Sequence, residues 1–139
     1  YERMLDGVSG TAGRLADARF GANRIVEGLV AERGGALRGY ALFYPTFSSF
    51  RTRFGMWLED LYVDPAERGS GAGRLLFVEV ARIARARGCH RLDWFVLDWN
   101  DPAMGFYRRM GAGEVVSDWV QYGLDEAGLA KLVVEERSG

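Results

Sequence analysis

An α/β domain with a mixed central sheet flanked by helices is the fold class that this 139-residue sequence predicts, and three observations predict it. Apolar stretches of strand type alternate with amphipathic stretches of helical period. The pair Gly34-Gly35 separates the first two strand-like stretches in the manner of a hairpin turn. A glycine-rich turn, residues 68–74, lies between the third strand and the longest amphipathic helix.

Taken in order, residues 11–20 read as a short helix with Leu15 and Phe20 inward and Gly21 as its stop. Strands follow at 24–33 and 37–44, then a Ser-, Thr- and Arg-rich loop at 45–54 and a third strand at 55–63, ended by Asp64-Pro65. From 71 to 87, Leu75, Leu76, Val80, Ile83 and Ala84 recur at helical spacing while Glu79, Arg82 and Arg85 take the other side, and Gly88 stops the helix. The apolar run 92–99 predicts a strand buried on both faces. Asn100 and Pro102 supply an N-cap and an early helical proline for a helix ending at Gly111. Residues 114–123 predict a last strand, and Asp125 caps a closing helix to about residue 135.

Length and the 48% hydrophobic content suit one domain spanning 1–139. With 18 basic against 19 acidic residues, net charge offers no general attraction to nucleic acid or to an anionic membrane, so neither is an expected partner. Cys89 and His90 are the single cysteine and histidine, which excludes an internal disulfide and any Cys/His metal site within one chain, so no metal is expected. No apolar run approaches the roughly 20 residues of a membrane span. A cytoplasmic setting is the expectation.

Arg68-Gly69-Ser70-Gly71-Ala72-Gly73-Arg74 is the most informative segment. Glycines let backbone approach a ligand closely, and the helix N-terminus behind them carries unpaired N–H groups and about half a positive charge. A Walker loop requires Lys followed by Ser or Thr, and a dinucleotide fingerprint requires glycine at 74 or 76; neither is met. What remains is Arg-x-x-Gly-x-Gly, against the plain alternative of a flexible glycine-biased loop.

Arg-x-x-Gly-x-Gly between strand and helix resembles the pyrophosphate loop of the GNAT superfamily of acyl-CoA N-acyltransferases. Leu58-Glu59-Asp60 before it, Trp99-Asn100-Asp101-Pro102 after it, and 106–112 with Phe106-Tyr107 resemble the diamine (spermidine/spermine) N-acetyltransferase branch. Tyr1-Glu2 resembles a substrate-contacting pair near the end of that branch's first helix. The resemblance implies a GNAT fold with a mixed, mostly antiparallel sheet, whose opening strand and most of whose first helix are absent from this chain. It implies acetyl-CoA as cosubstrate, a small-molecule amine as acceptor, and a homodimer joined near the last strand and closing helix, where Leu129, Leu132, Val133 and Val134 suit burial.

By the same resemblance, backbone groups of Leu61, Tyr62 and Val63 pair with the pantetheine arm, and Arg68, Gly69, Ser70, Gly71, Ala72, Gly73 and Arg74 wrap the pyrophosphate. Asn100, Pro102 and Tyr107 border the thioester. Tyr1, Glu2, Glu59, Asp60, Asp93 and Trp119 are the acceptor-binding candidates. Glu59 and Tyr107 are the catalytic pair, one taking a proton through a water and the other giving one to the departing sulfur.

The chemistry calls for a proton acceptor and is eased by a proton donor. An alkyl amine with a pKa of about 10.4 is only about one part in 2,500 neutral at pH 7, a handicap of roughly 4.6 kcal/mol for a nucleophile. A thiol near 8.5 is less basic than a phenolate near 10, so proton transfer from Tyr107 is modestly uphill unless the site shifts either value. Glu59 and Asp60 are chain neighbours in an apolar strand, so their side chains are expected on opposite faces, with at least one carboxylate below the sheet surface. An ion pair with a nearby arginine is the structural alternative for either, and aromatic packing is the alternative for Tyr107.

Ser48 and Phe50 stand where polyamine-acetylating relatives carry an acid and a tryptophan, and Asp93 stands where they tend to have histidine. Arg51 and Arg53 add positive charge to the same loop. A shorter amine, a diamine or a lysine-like amino acid such as thialysine is therefore at least as good a fit as spermine. A protein or peptide N-acetyltransferase is the nearest enzyme alternative, and a silent CoA-binding regulatory module the alternative from another class; retention of Glu59 and Tyr107 argues against silence.

Overall fold

The computed structural model describes residues 25–138, with side chains through 134. The predicted helix at 11–20 and the Tyr1-Glu2 pair lie outside the described residues. Two compact units divide the chain after Leu97.

The first unit is built on an antiparallel meander. Strands β1 (Glu27–Arg33), β2 (Ala36–Ser48) and β3 (Arg53–Val63) pair in that order, and β4 (Leu92–Asp93) joins β3 in parallel, so the sheet is mixed as predicted. Gly34 and Gly35 turn the first hairpin at φ +59° and +78°, both in the left-handed region that a two-residue turn of this hand requires. The loop expected at 45–54 is shorter than predicted, because β2 runs on through Pro45 to Ser48 and β3 begins at Arg53. Pro45 is tolerated because β1 pairs no farther along β2 than Phe43, which leaves the missing N–H with no ladder to break. Phe47 and Phe54 close that hairpin end, their ring centroids 5.2 Å apart.

Helix α1 (Ala72–Ala86) lies across one face of this sheet. It buries Leu76, Phe77, Val80 and Ala84, spaced so that they share one side, against Ala41, Phe43, Met56 and Leu58. The buried stripe is rotated from the predicted one, since Leu75 is 73% exposed and Phe77 takes its place. A Cβ at Gly39 would meet Leu76 Cδ1 at 3.3 Å and the Tyr62 carbonyl oxygen at 2.7 Å, so glycine lets sheet and helix approach there.

The run 92–99 departs from the predicted strand. Only Leu92 and Asp93 pair, with Met56 and Trp57. Beyond them Trp94 packs edge-on against Phe77, while Phe95 turns to the other side and is 82% exposed. The ladder stops where the β2–β3 register shifts: Leu42 faces Asp60 but Phe43 faces Leu58, leaving Glu59 as an extra residue on β3. Bulges generally bend their strand, and this one lies two residues past the last β3 pairing with β4, at Trp57.

In the second unit Asn100 caps helix α2 (Asp101–Arg109), its Oδ1 accepting the Ala103 N–H at 3.3 Å, with Pro102 in the first turn. Asp125 caps helix α3 (Glu126–Ser138) by accepting the Gly128 N–H at 2.8 Å. Both helices and both caps match the sequence reading. The strand predicted at 114–123 does not form. Val115, Val116, Val120 and Tyr122 carry β-type side chains but are exposed, and an extended segment becomes a strand only where another edge supplies its hydrogen bonds.

Phe43, 1% exposed at the centre of the sheet's helix-covered face, is the most informative core position to truncate. Phe43→Ala is expected to cost about 3–5 kcal/mol, read as a lower urea midpoint at an unchanged slope.

Candidate active site

The bulge decides where the two acidic neighbours point. Tyr40, Leu42 and Tyr44 alternate onto the face of β2 opposite Ala41 and Phe43, hence away from α1. Tyr40 donates its hydroxyl to Asp60 Oδ2 at 3.0 Å, and Tyr44 donates to Glu59 Oε2 at 3.4 Å. Both carboxylates therefore share one face, which corrects the expectation of opposite faces. Strict alternation assumes one residue per ladder position, and the extra residue at Glu59 breaks it.

Trp57, paired across the ladder with Tyr44, donates its indole Nε1–H to Glu59 Oε2 at 2.8 Å. Its ring meets Phe95 edge-on at 4.7 Å, and the Tyr40 and Tyr62 rings lie 5.5 Å apart. The face thus carries two carboxylates among aromatic groups, three of which donate to them. Among the described residues, no arginine forms an ion pair with Glu59 or Asp60. Glu59 is exposed and Asp60 half-buried.

Burial raises the Asp60 carboxyl above its ordinary value; the Tyr40 hydroxyl pulls it back down and the Glu59 charge pushes it up again. The Tyr44 phenol is also raised, by burial first and then by the charge of Glu59 and the hydrogen bond to it. Sequence reasoning missed Tyr40, Tyr44 and Trp57. Tyr40 and Tyr44 share one face of their strand by alternation, but nothing in the sequence sets them beside the acids until the β2–β3 register is known.

Beyond the bulge, Leu61, Tyr62 and Val63 pair with Ala41, Tyr40 and Gly39 on one edge of β3. Past Trp57 no described strand pairs with the other edge. A short 3₁₀ turn (Pro65–Glu67), capped by Asp64 Oδ1 on the Ala66 N–H at 2.9 Å, then leads to the glycine loop. Arg33 lies 3.4 Å from the Glu67 carboxylate and tethers this turn to the first hairpin.

In the loop, Gly69 has φ +86° and Gly71, the N-cap of α1, has φ +91°. A Cβ at either would meet nothing within 4 Å, so conformation and not crowding requires glycine, and the backbone surface lies clear. Ser70 Oγ accepts the Ala72 N–H at 3.3 Å. Arg68 and Arg74 are exposed at the two ends of the loop, and Ala72 and Gly73 form the first helical turn. A clear backbone turn at a helix N-terminus, flanked by guanidinium groups, fits a phosphate-bearing ligand.

Asp93 carries an ion pair with Arg91 at 2.6 Å. In the second unit Asn100 and Pro102 open α2 and Tyr107 sits half-buried on it, its ring 5.2 Å from that of Phe106. Trp119 is 78% exposed, its backbone N–H donating to Ser117 Oγ at 3.0 Å. Among the described residues no group of His, Cys, Asp or Glu side chains could hold a metal ion, and no helix is long and apolar enough to cross a membrane.

The profile of the acetyltransferase (GNAT) family matches residues 11–112, and the chain belongs to that family. It is an acetyltransferase. A thialysine N-epsilon-acetyltransferase of Bos taurus is 36% identical over 123 residues, covering 83% of this chain and 72% of the relative. An L-ornithine N5-acetyltransferase of Arabidopsis thaliana is 40% identical over 81 residues, covering 58% of this chain and 35% of the relative. Among solved structures, an integron cassette protein from V. cholerae superposes with a TM-score of 0.77 at 26% identity, covering 95% of this chain and 83% of that one.

The Asp60 shift has a stability consequence. A carboxyl raised above 3.8 in the folded state holds its proton longer than in the unfolded chain. The stability linked to it is thus full below that value and lost as pH rises through the folded one. Asp60→Asn keeps an acceptor for Tyr40, so its melting temperature is expected to gain on the parent protein as pH is raised from about 4 to about 7. A gap that narrows over that range would contradict the direction.

Proposed function

We propose that this acetyltransferase moves an acetyl group from acetyl-CoA to the primary amine of a small molecule, by direct attack of the amine. The observation that carries this reading is the pair Glu59 and Asp60 on one face, held by Tyr44, Trp57 and Tyr40, on the strand that leads into a clear glycine loop. A carboxylate pair among aromatic groups attracts a cationic amine and offers it a proton acceptor. The relatives named for thialysine N-epsilon and ornithine N5 acetylation support an acceptor whose amine ends a short chain. A lysine-like amino acid or a short diamine is the acceptor class proposed.

Acetyl-CoA supplies an activated acyl carbon in its thioester. The backbone of Leu61, Tyr62 and Val63 is proposed to hold its pantetheine arm and residues 68–74 its pyrophosphate, with Asn100 and Pro102 bordering the acyl end. Glu59 takes the proton of the ammonium through a water as the nitrogen attacks, which gives that proton an acceptor within the site; protonation otherwise disfavours the nucleophile by roughly 4.6 kcal/mol at pH 7. Asp60 holds the cation in place, with Asp93, Trp119, Tyr1 and Glu2 as further acceptor contacts. Tyr107 holds a proton for the departing sulfur. A homodimer that covers the apolar residues of 114–123 and of α3 is part of the same proposal, supported by their exposure.

Two measurements test the assignment. Glu59→Gln is expected to lower kcat/KM by about a hundred-fold at pH 7, with the deficit shrinking as pH nears the amine pKa; a pH-independent deficit would remove the base role. Tyr107→Phe is expected to lower turnover about ten-fold or more while calorimetry shows unchanged CoA binding, whereas Gly71→Glu abolishes that binding. Wild-type turnover in Tyr107→Phe would leave Tyr107 with a packing role alone.

A further inference from the structure

Among the described residues, two groups donate hydrogen bonds to Glu59, and both fall on the same oxygen. Trp57 Nε1–H donates to Oε2 at 2.8 Å and the Tyr44 hydroxyl to Oε2 at 3.4 Å. A carboxylate has two oxygens and about four lone-pair sites. The two donors on Oε2 fix the rotation of the group and turn Oε1, which no described residue engages, toward a water or an amine it can accept from.

We infer that Trp57, assisted by Tyr44, is a positioning residue that orients Glu59 so that Oε1 faces the reacting amine. The inference rests on the proposed base role of Glu59. It also gives a reason for the bulge. Glu59 is the extra residue on β3, so its backbone has no ladder partner to fix its orientation, and the side chain needs another anchor. The Trp57–Tyr44 cross-strand pair supplies that anchor from the two strands at once, and Phe95, edge-on to Trp57 at 4.7 Å, buttresses the indole from the segment after β4.

Phenylalanine at 57 keeps most of the apolar contact and removes the donor; phenylalanine at 44 removes only a hydroxyl. A merely structural role for either ring predicts a loss of stability with no dependence on Glu59. A positioning role predicts coupling. The raised titration of the Tyr44 phenol, caused in part by the Glu59 charge, offers a spectroscopic reading of the same contact.

The test is a double-substitution cycle on the full chain with acetyl-CoA and a short diamine, each variant first checked for folding by circular dichroism. Trp57→Phe is expected to lower kcat about ten-fold with KM for acetyl-CoA unchanged, and the pair Trp57→Phe with Glu59→Gln to be no slower than Glu59→Gln alone. Tyr44→Phe run through the same cycle gives a smaller loss with the same coupling, and serves if Trp57→Phe fails to fold. In Glu59→Gln, the Tyr44 phenol is expected to titrate lower, followed by tyrosinate absorbance. Losses that multiply in the double variant would overturn the positioning role while leaving Glu59 as base. Wild-type rates in Glu59→Gln alone would remove both.

Discussion

One residue too many on β3 sets the geometry of everything that follows. Because Glu59 stands outside the ladder between Leu58 and Asp60, the core-facing side chains on either side of it stay in register with β2 and the helix above. Leu58 still faces Phe43 and Leu61 still faces Ala41. The two acids, in contrast, both emerge on the face away from α1. A sheet with perfect alternation would have sent one of them into the apolar layer that Phe43, Met56 and Val80 fill, where an ionised carboxylate without a partner costs several kcal/mol. The bulge therefore reconciles a packed core with a doubly acidic face.

The pairing of β3 with β4 ends at Trp57, two residues before this irregularity. From Leu58 to Val63 no described strand pairs with the outer edge of β3, and the strand leads directly through the 3₁₀ turn to the glycine loop. Acidic face, unpaired edge and phosphate-compatible turn are thus consecutive along one strand and its exit. For an acetyltransferase this order is economical: the donor's phosphates and arm, and the acceptor's charge, would be met by one continuous run of about fifteen residues. The aromatic donors around the acids keep the negative charge in place without neutralising it, as an arginine would.

Much of this was legible in the amino-acid sequence. Hairpin glycines, the helix stop at Gly88 and the caps at Asn100 and Asp125 are local signals, and the structure places each as local physics requires. The glycine loop was legible for the same reason. The facing of Glu59 and Asp60 was not, since a bulge is a property of two strands in register and leaves no mark on either alone. The aromatic donors were missed in consequence, because Tyr40, Tyr44 and Trp57 become neighbours of the acids only once the register is known. The runs 92–99 and 114–123 failed differently: both have the side chains of strands, but a ladder needs a partner edge, which composition does not report.

Indole N–H resonances give the most direct test that the face carrying Glu59 is where the acceptor amine arrives. In a ¹⁵N-labelled sample saturated with CoA, the Trp57 indole signal, assigned by its absence in Trp57→Phe, should move progressively as a short diamine is added. The movement should saturate at the same concentration as the kinetics. A diamine that reaches kinetic saturation while the Trp57 signal stays where it was would place acceptor binding elsewhere and contradict the account.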